Sequence, residues 1–322
     1  MRFVVFGAGA IGGVTGARLH QAGHEVMLIA RGAHADAIES QGLRLRTPDE
    51  SVVLRIPVAR HPSDVAWRDD DVVLLAMKSQ DTAVALEALR AALEREPLAI
   101  VCLQNGVANE RTVLRCFENV YAVPVMCPTS HLEPGVVEAT SVPVTGIYDV
   151  GRYPHGVDDT CDELAAAFRT STFVSEVRAD VMRWKWSKLI MNLGNSVQAM
   201  CAPSDAATEL VTRARSEATQ VLRTANIAFA SATEDAERRG DILKWGEVGG
   251  KPRGGGSSWQ SLTRGAGTIE TDYLNGEIVF QARLQATAAP VNALLQREAN
   301  SAARRRAAPE SMSAETLLAQ LD

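Results

Sequence analysis

The chain has 322 residues, enough for two domains of about 100–200 residues each. Its 46% hydrophobic and 22% charged content is that of an ordinary globular protein, and a net charge of -6 lacks the basic field on which nucleic-acid binders rely. No apolar run approaches the roughly 18 residues of a membrane span, and an expected first strand at residue 2 leaves no room for a signal peptide. The five cysteines are scattered without a Cys-x-x-Cys pair and the six histidines show no metal-ligand spacing, so reduced cytoplasmic thiols are expected, with neither zinc nor disulfides.

The apolar run Arg2-Phe-Val-Val-Phe6 leads directly into Gly7-Ala8-Gly9-Ala10-Ile11-Gly12, and Val14, Ala17 and Leu19 follow at helical spacing. That order is strand, glycine turn, helix. The first glycine makes the turn, the second admits a pyrophosphate close to the backbone, and the third lets helix pack on strand. The helix N-terminus adds N–H groups and a positive dipole end. These residues, Gly7 to Gly12, predict a dinucleotide site, the alternative being a plain structural turn. The helix runs to about Gln21, and Glu25-Val-Met-Leu-Ile-Ala30 is the second buried strand. An NAD site usually has an Asp or Glu about 20 residues beyond the fingerprint. Arg31 stands there instead; it either pairs with a 2′-phosphate, favouring NADP, or is an exposed surface arginine.

Leu43 to Arg60 reads as a pair of short strands with a crossover, and Asp71 to Met77 as another buried strand. Lys78 closes its C-terminal edge, where ligands of doubly wound sheets bind; it either reaches a cofactor phosphate or is solvated. Ala99 to Leu103 is the next strand. Asn105, just beyond it, is either part of an Asn-Gly turn or presents its amide to nicotinamide or substrate. Tyr121 to Met126, Val136 to Ala139, Val144 to Val150 and Thr172 to Val177 read as strands and Cys161 to Phe168 as a helix, closing a first domain at 1–179.

Residues 180–322 read as a second, mostly helical domain. Met182 to Met200 is expected to be one helix with Leu189, Leu193, Val197 and Met200 on one face and Lys188, Asn192 and Asn195 on another. That second stripe either lines a polar cleft or faces solvent. Gly249 to Ser258 is a loop whose glycines and basic residues either cradle an anion or lie on the surface. Further helices are expected from Trp259, from Thr268 and from Pro290.

Several segments together resemble the ketopantoate reductases (2-dehydropantoate 2-reductases): Gly7 to Gly12, Ala30-Arg31, Met77-Lys78-Ser79, Leu103-Gln-Asn-Gly-Val107, Lys188-Leu-Ile-Met-Asn192 and Ile269-Glu-Thr-Asp-Tyr-Leu-Asn-Gly276. The resemblance spans nearly the whole chain. It implies an α/β Rossmann dinucleotide-binding domain followed by an all-α domain, with the site in the cleft, and NADPH-dependent reduction of a small-molecule 2-oxo acid. The expected substrate is ketopantoate, in pantothenate biosynthesis, and the expected form a cytoplasmic monomer or homodimer with no nucleic-acid or membrane partner. It further implies that Lys188 is the catalytic lysine, that Asn105 and Asn192 line the site, and that Glu270 and Ser258 bind substrate, with Asn195 beside them. Arg31 and Lys78 would grip the NADPH phosphate, and Asn105 and Glu270 also belong to the cofactor-binding set. The sequence departs from the family pattern where a second asparagine is expected eight residues after the lysine: Ser196 stands there and Asn195 precedes it. The alternatives are another 2-oxo acid, an opine- or 3-hydroxyacid-type dehydrogenase, or a non-catalytic NADPH-sensing module.

Overall fold

The computed structural model describes residues 1–93, 98–251 and 254–321. The chain divides into two compact units, Met1–Lys185 with Ala232–Arg253, and Trp186–Ser231 with Gly254–Asp322. In chain order the first unit holds β1 (Arg2–Phe6), α1 (Ala10–Gln21), β2 (Glu25–Ile29), α2 (Gly32–Gln41), β3 (Leu43–Arg46), β4 (Ser51–Leu54), β5 (Val58–Ala59) and β6 (Asp71–Leu75). It continues with α3 (Thr82–Ala92), β7 (Ala99–Cys102), α4 (Asn109–Leu114), β8 (Val120–Ala122), β9 (Thr129–Ser130), β10 (Val136–Ala139), β11 (Gly146–Ile147), β12 (Gly151–Arg152), α5 (Asp159–Thr170) and β13 (Phe173–Val174).

The main sheet has seven strands in the order β12-β8-β7-β6-β1-β2-β5, parallel except where β12 meets β8. Its central strands are apolar throughout because a parallel sheet is covered on both faces: Phe3, Val4, Val5, Val73, Leu74 and Leu75 are fully buried. Arg2, the exception in β1, is bidentate to Asp71 of β6 at 2.6 and 2.7 Å and so clips the N-terminal ends of the two strands together. Register then puts the other ends level. Phe6 pairs with Ile29 and with Leu75, and Leu75 with Cys102, so the segments after β1, β2, β6 and β7 emerge along one edge.

Leu43 to Arg60 forms no simple pair: β3 and β4 are a hairpin in a second sheet of order β4-β3-β10-β9, whereas β5 joins the main sheet beside β2. The strands expected at 121–126, 144–150 and 172–177 shrink to two or three residues each, because their apolar residues serve core packing outside any long ladder.

α6 (Val181–Asn192) begins in the first unit and ends in the second, which then contains α7 (Asn195–Met200) and α8 (Asp205–Thr224). After α9 (Ala232–Arg239), which belongs to the first unit, come α10 (Ser257–Thr263), α11 (Asn275–Leu284), α12 (Pro290–Arg304) and α13 (Ala314–Leu318). Helix ends are capped by side chains: Ser204 Oγ accepts from the Ala207 N–H at 3.1 Å, and Glu217 of α8 accepts from the Val291 and Asn292 N–H groups at 2.9 Å, closing the start of α12. The helix expected over 182–200 is broken at Leu193-Gly194. Gly194 lies against α8, where a Cβ would stand 3.2 Å from both Val211 methyls.

A single boundary at 179 does not describe the chain. Residues 232–251 return to the first unit through contacts that composition does not advertise. Arg238 clasps Asp149 at 2.6 and 2.9 Å, Arg183 clasps Glu234 at 2.6 and 2.7 Å, and the Gly246 N–H donates to the Thr140 carbonyl at 2.7 Å. Among the described residues no helix is long and apolar enough to cross a membrane.

Candidate functional site

In the first unit the glycine turn joins β1 to α1. Gly7 has φ +102°, and a Cβ there would lie 2.8 Å from the Met77 backbone nitrogen. A Cβ on Gly12 would lie 2.1 Å from the Gly7 carbonyl oxygen. A Cβ on Gly9, in contrast, meets no described atom within 4 Å. Gly7 and Gly12 are therefore demanded by the protein itself, while the space over Gly9 is open. The first helical bond of α1 runs from the Gly13 N–H to the Gly9 carbonyl at 2.7 Å, and among the described residues no side chain caps this terminus. Ala10 and Ile11 carry the first N–H groups of the helix, which the helix itself leaves unpaired.

Arg31 follows β2 as the exposed residue at which α2 begins. Glu25, the acid at the other end of β2, is paired with Arg68 at 2.8 Å. Lys78 starts a short 3-10 turn over Ser79–Asp81, and Asn105 lies beyond β7. A buried polar network ties these two strand-end segments. The Gln104 amide donates to the Met77 carbonyl at 3.0 Å and to Thr82 Oγ1 at 2.8 Å; Thr82 donates to Asn109 Oδ1 at 2.8 Å. The Asn109 amide donates in turn to Ser79 Oγ at 3.0 Å and to the Asn105 carbonyl at 3.1 Å. Thr82 and Asn109 lie outside the motifs quoted above, and Gln104 stands in one only as a neighbour of Asn105, since short polar residues near turns carry no local sign of burial. Gly7 to Gly12, Arg31, Lys78 and Asn105 thus all stand along one sheet edge.

One more side chain reaches this edge. His34 of α2 places Nε2 2.7 Å from the Ala8 carbonyl and Nδ1 2.8 Å from the Gly135 nitrogen. Burial, with the adjacent His131, lowers its pKa to about 4.

In the second unit Lys188, half-buried on α6, donates from Nζ to Asn192 Oδ1 at 3.2 Å, the i, i+4 pair that helical spacing requires. Asn192 itself is buried. Asn195 starts α7 and so belongs to a new helix, not to a continuous stripe. Ser196 is committed to packing: its hydroxyl lies 3.3 Å from the Leu193 carbonyl and 2.9 Å from Asn275 Oδ1. Asn275 also donates to the Leu193 carbonyl at 3.2 Å and to Asn292 Oδ1 at 2.9 Å, so it replaces regular backbone bonding at the α6–α7 break. Ser258 is buried on α10, which packs against α7, and Glu270 is buried on a 3-10 turn, Glu270–Tyr273, ahead of α11.

The glycines before Ser258 have a packing reason. A Cβ on Gly254 or Gly255 would fall 2.9 or 2.1 Å from the Trp259 side chain, and the Gly256 N–H donates to Gln198 Oε1 at 3.0 Å. Pro252 and Arg253 of that loop lie outside the described residues.

Two family models match the chain: "Ketopantoate reductase PanE/ApbA" over residues 3–154 and "Ketopantoate reductase PanE/ApbA C terminal" over residues 180–302. A 2-dehydropantoate 2-reductase of Pyrococcus horikoshii is 28% identical, over 92% of this chain and 95% of its own. A ketopantoate reductase of the same family from Ralstonia eutropha JMP134 superposes with a TM-score of 0.78 at 30% identity, covering 95% of this chain and 99% of its own. A D-mandelate dehydrogenase solved with NADH and anilino(oxo)acetate shares the fold, with a TM-score of 0.80 at 21% identity and coverage of 95% and 99%.

Proposed function

The chain belongs to the ketopantoate reductase family, as an oxidoreductase acting on CH–OH, and from that premise we propose that it reduces ketopantoate to pantoate with NADPH. In this reading it serves pantothenate biosynthesis in the cytoplasm, as a monomer or homodimer.

The residues at the sheet edge fit a dinucleotide. The open space over Gly9 suits a pyrophosphate, which the N–H groups of Ala10 and Ile11 would meet. Arg31 would pair with the 2′-phosphate, with Lys78 as a second cation and Asn105 presenting its amide to the nicotinamide end. The similarly folded D-mandelate dehydrogenase holds NADH, so the fold leaves the choice of cofactor to such side chains. NADPH, when bound, supplies the hydride.

The remaining chemistry falls to the second unit. Reduction of a keto carbon leaves negative charge on its oxygen, which needs a proton. Lys188 would donate it from Nζ, a general-acid step typically contributing about 10²–10⁴-fold. The Lys188–Asn192 hydrogen bond at 3.2 Å is the observation that carries this assignment, because it fixes an ammonium in a half-buried place against a partner oriented by the same helix. Ser258 would hold the substrate carboxylate, Glu270 would accept from a substrate hydroxyl, and Asn195 would lie beside them.

A second reading, reduction of a different 2-oxo acid, draws on Ser196. The family's second asparagine position is filled by a serine spent on Leu193 and Asn275, so the substrate side differs from the family pattern. Assay of NADPH oxidation against a panel of 2-oxo acids tests both readings. Ketopantoate should give the highest kcat/KM; a clear preference for another 2-oxo acid selects the second reading, and no turnover with any of them defeats both. Lys188→Ala should lower kcat by at least about 10²-fold while leaving NADPH affinity within about twofold. Near-normal turnover in that variant removes Lys188 from the chemistry.

A further inference from the structure

His34 stands on the first turn of α2, three residues beyond Arg31, and touches the glycine turn from the side. The Gly135 amide, 2.8 Å from Nδ1, can only donate, so Nδ1 carries a lone pair and Nε2 carries the hydrogen. Nε2–H therefore donates to the Ala8 carbonyl, 2.7 Å away. The tautomer is thus fixed by the protein, and the ring is held further against His131, with centroids 4.1 Å apart.

The Ala8 carbonyl is not an arbitrary acceptor. A trans peptide is planar, and the N–H of the next residue points opposite to the carbonyl. Holding the Ala8 oxygen toward His34 turns the Gly9 N–H the other way. Gly9 is the glycine over which space is open. We propose that His34 is a positioning residue for the dinucleotide: its ring orients the Ala8–Gly9 peptide so that the Gly9 N–H faces the pyrophosphate, and it couples that peptide to α2, the helix that Arg31 precedes. The inference rests on the NADPH reading above.

The two ring nitrogens can be imitated separately. In His34→Gln the longer amide places an N–H donor near the Nε2 position and keeps the Ala8 bond. In His34→Asn the shorter amide places an acceptor near Nδ1, keeps the Gly135 bond and drops the Ala8 bond. Fluorescence titration with NADPH and steady-state kinetics should show His34→Asn weakening NADPH about five- to tenfold, the size expected for one lost hydrogen bond. The kcat of this asparagine variant should stay near that of the unaltered protein, and the glutamine variant should bind NADPH within about twofold of it. A purely structural role would instead lower thermal stability and leave the affinity of the folded fraction unchanged. Equal NADPH affinity in the asparagine variant and the unaltered protein overturns the proposal, as does a glutamine variant impaired as much as the asparagine one. If His34→Asn does not fold, the glutamine variant decides by itself, tight binding supporting the proposal and weak binding overturning it. An unaltered protein that binds no NADPH defeats the dinucleotide reading itself, and His34 then has nothing to position.

Discussion

In the NADPH reading proposed above, cofactor choice would rest on one side chain, Arg31. It is exposed at the end of β2, and the acids nearest to it in sequence are engaged elsewhere: Asp36 and Glu39 each lie 2.6 Å from Arg60, and Glu25 is at the far end of the strand on Arg68. In that reading a ribose with two hydroxyls would find none of these carboxylates offered at this point, while a 2′-phosphate would find a guanidinium. Hydrogen bonds between charged groups contribute about 1.5–3 kcal/mol each, roughly 10–100-fold in affinity. Arg31→Ala should therefore raise the KM for NADPH by about that factor and leave the KM for NADH nearly unchanged. Steady-state kinetics with both cofactors checks it. Equal losses for the two would mean that Arg31 does not read the phosphate.

At the level of elements, the three glycines of the turn separate by what surrounds them. Gly12→Ala drives a methyl to 2.1 Å from the Gly7 carbonyl, so strand and helix must part, and a loss of about 3 kcal/mol or more is expected. Gly9→Ala meets no atom of the described residues within 4 Å and should leave the melting temperature nearly unchanged while NADPH affinity falls at least about tenfold. Calorimetry and NADPH titration on the two variants test this; a Gly9→Ala protein that binds NADPH normally would show that no pyrophosphate approaches there. The turn was legible in the sequence because its geometry is local, each glycine answering to neighbours set by β1 and α1. The Lys188 helix was legible only as far as Asn192. Its break at Gly194 depends on Val211, on another helix, and on Asn275, far along the chain, which satisfies the Leu193 carbonyl. The periodicity of apolar residues continues across the break and hides it.

For the whole molecule, the order of a Rossmann α/β region before a helical region was readable from strand-like runs giving way to helical spacing. The path of the chain was not, because the contacts that return residues 232–251 to the first unit include charged pairs and backbone bonds that hydrophobic spacing does not signal. Arg238 is the clearest case. It and Arg178 converge on Asp149, which is 2% exposed, and the Glu176 N–H donates to the same carboxylate at 3.0 Å. Burial pushes the Asp149 carboxyl up, but the hydrogen bonds from Arg238 and Arg178 outweigh it and hold its pKa below the ordinary value. Removing one arginine leaves a buried carboxylate partly unpaired, so the loss exceeds the worth of a surface ion pair. Arg238→Ala should destabilise the protein by about 2 kcal/mol, read as a lower urea midpoint with an unchanged slope. Asp149→Asn in the same background should recover part of that loss, because it removes the charge that the missing arginine left behind. An unchanged midpoint in Arg238→Ala, or strict additivity with Asp149→Asn, would mean that segment 232–251 is held to the first unit by its backbone bonds at Thr140 and Val142 and not by this pair.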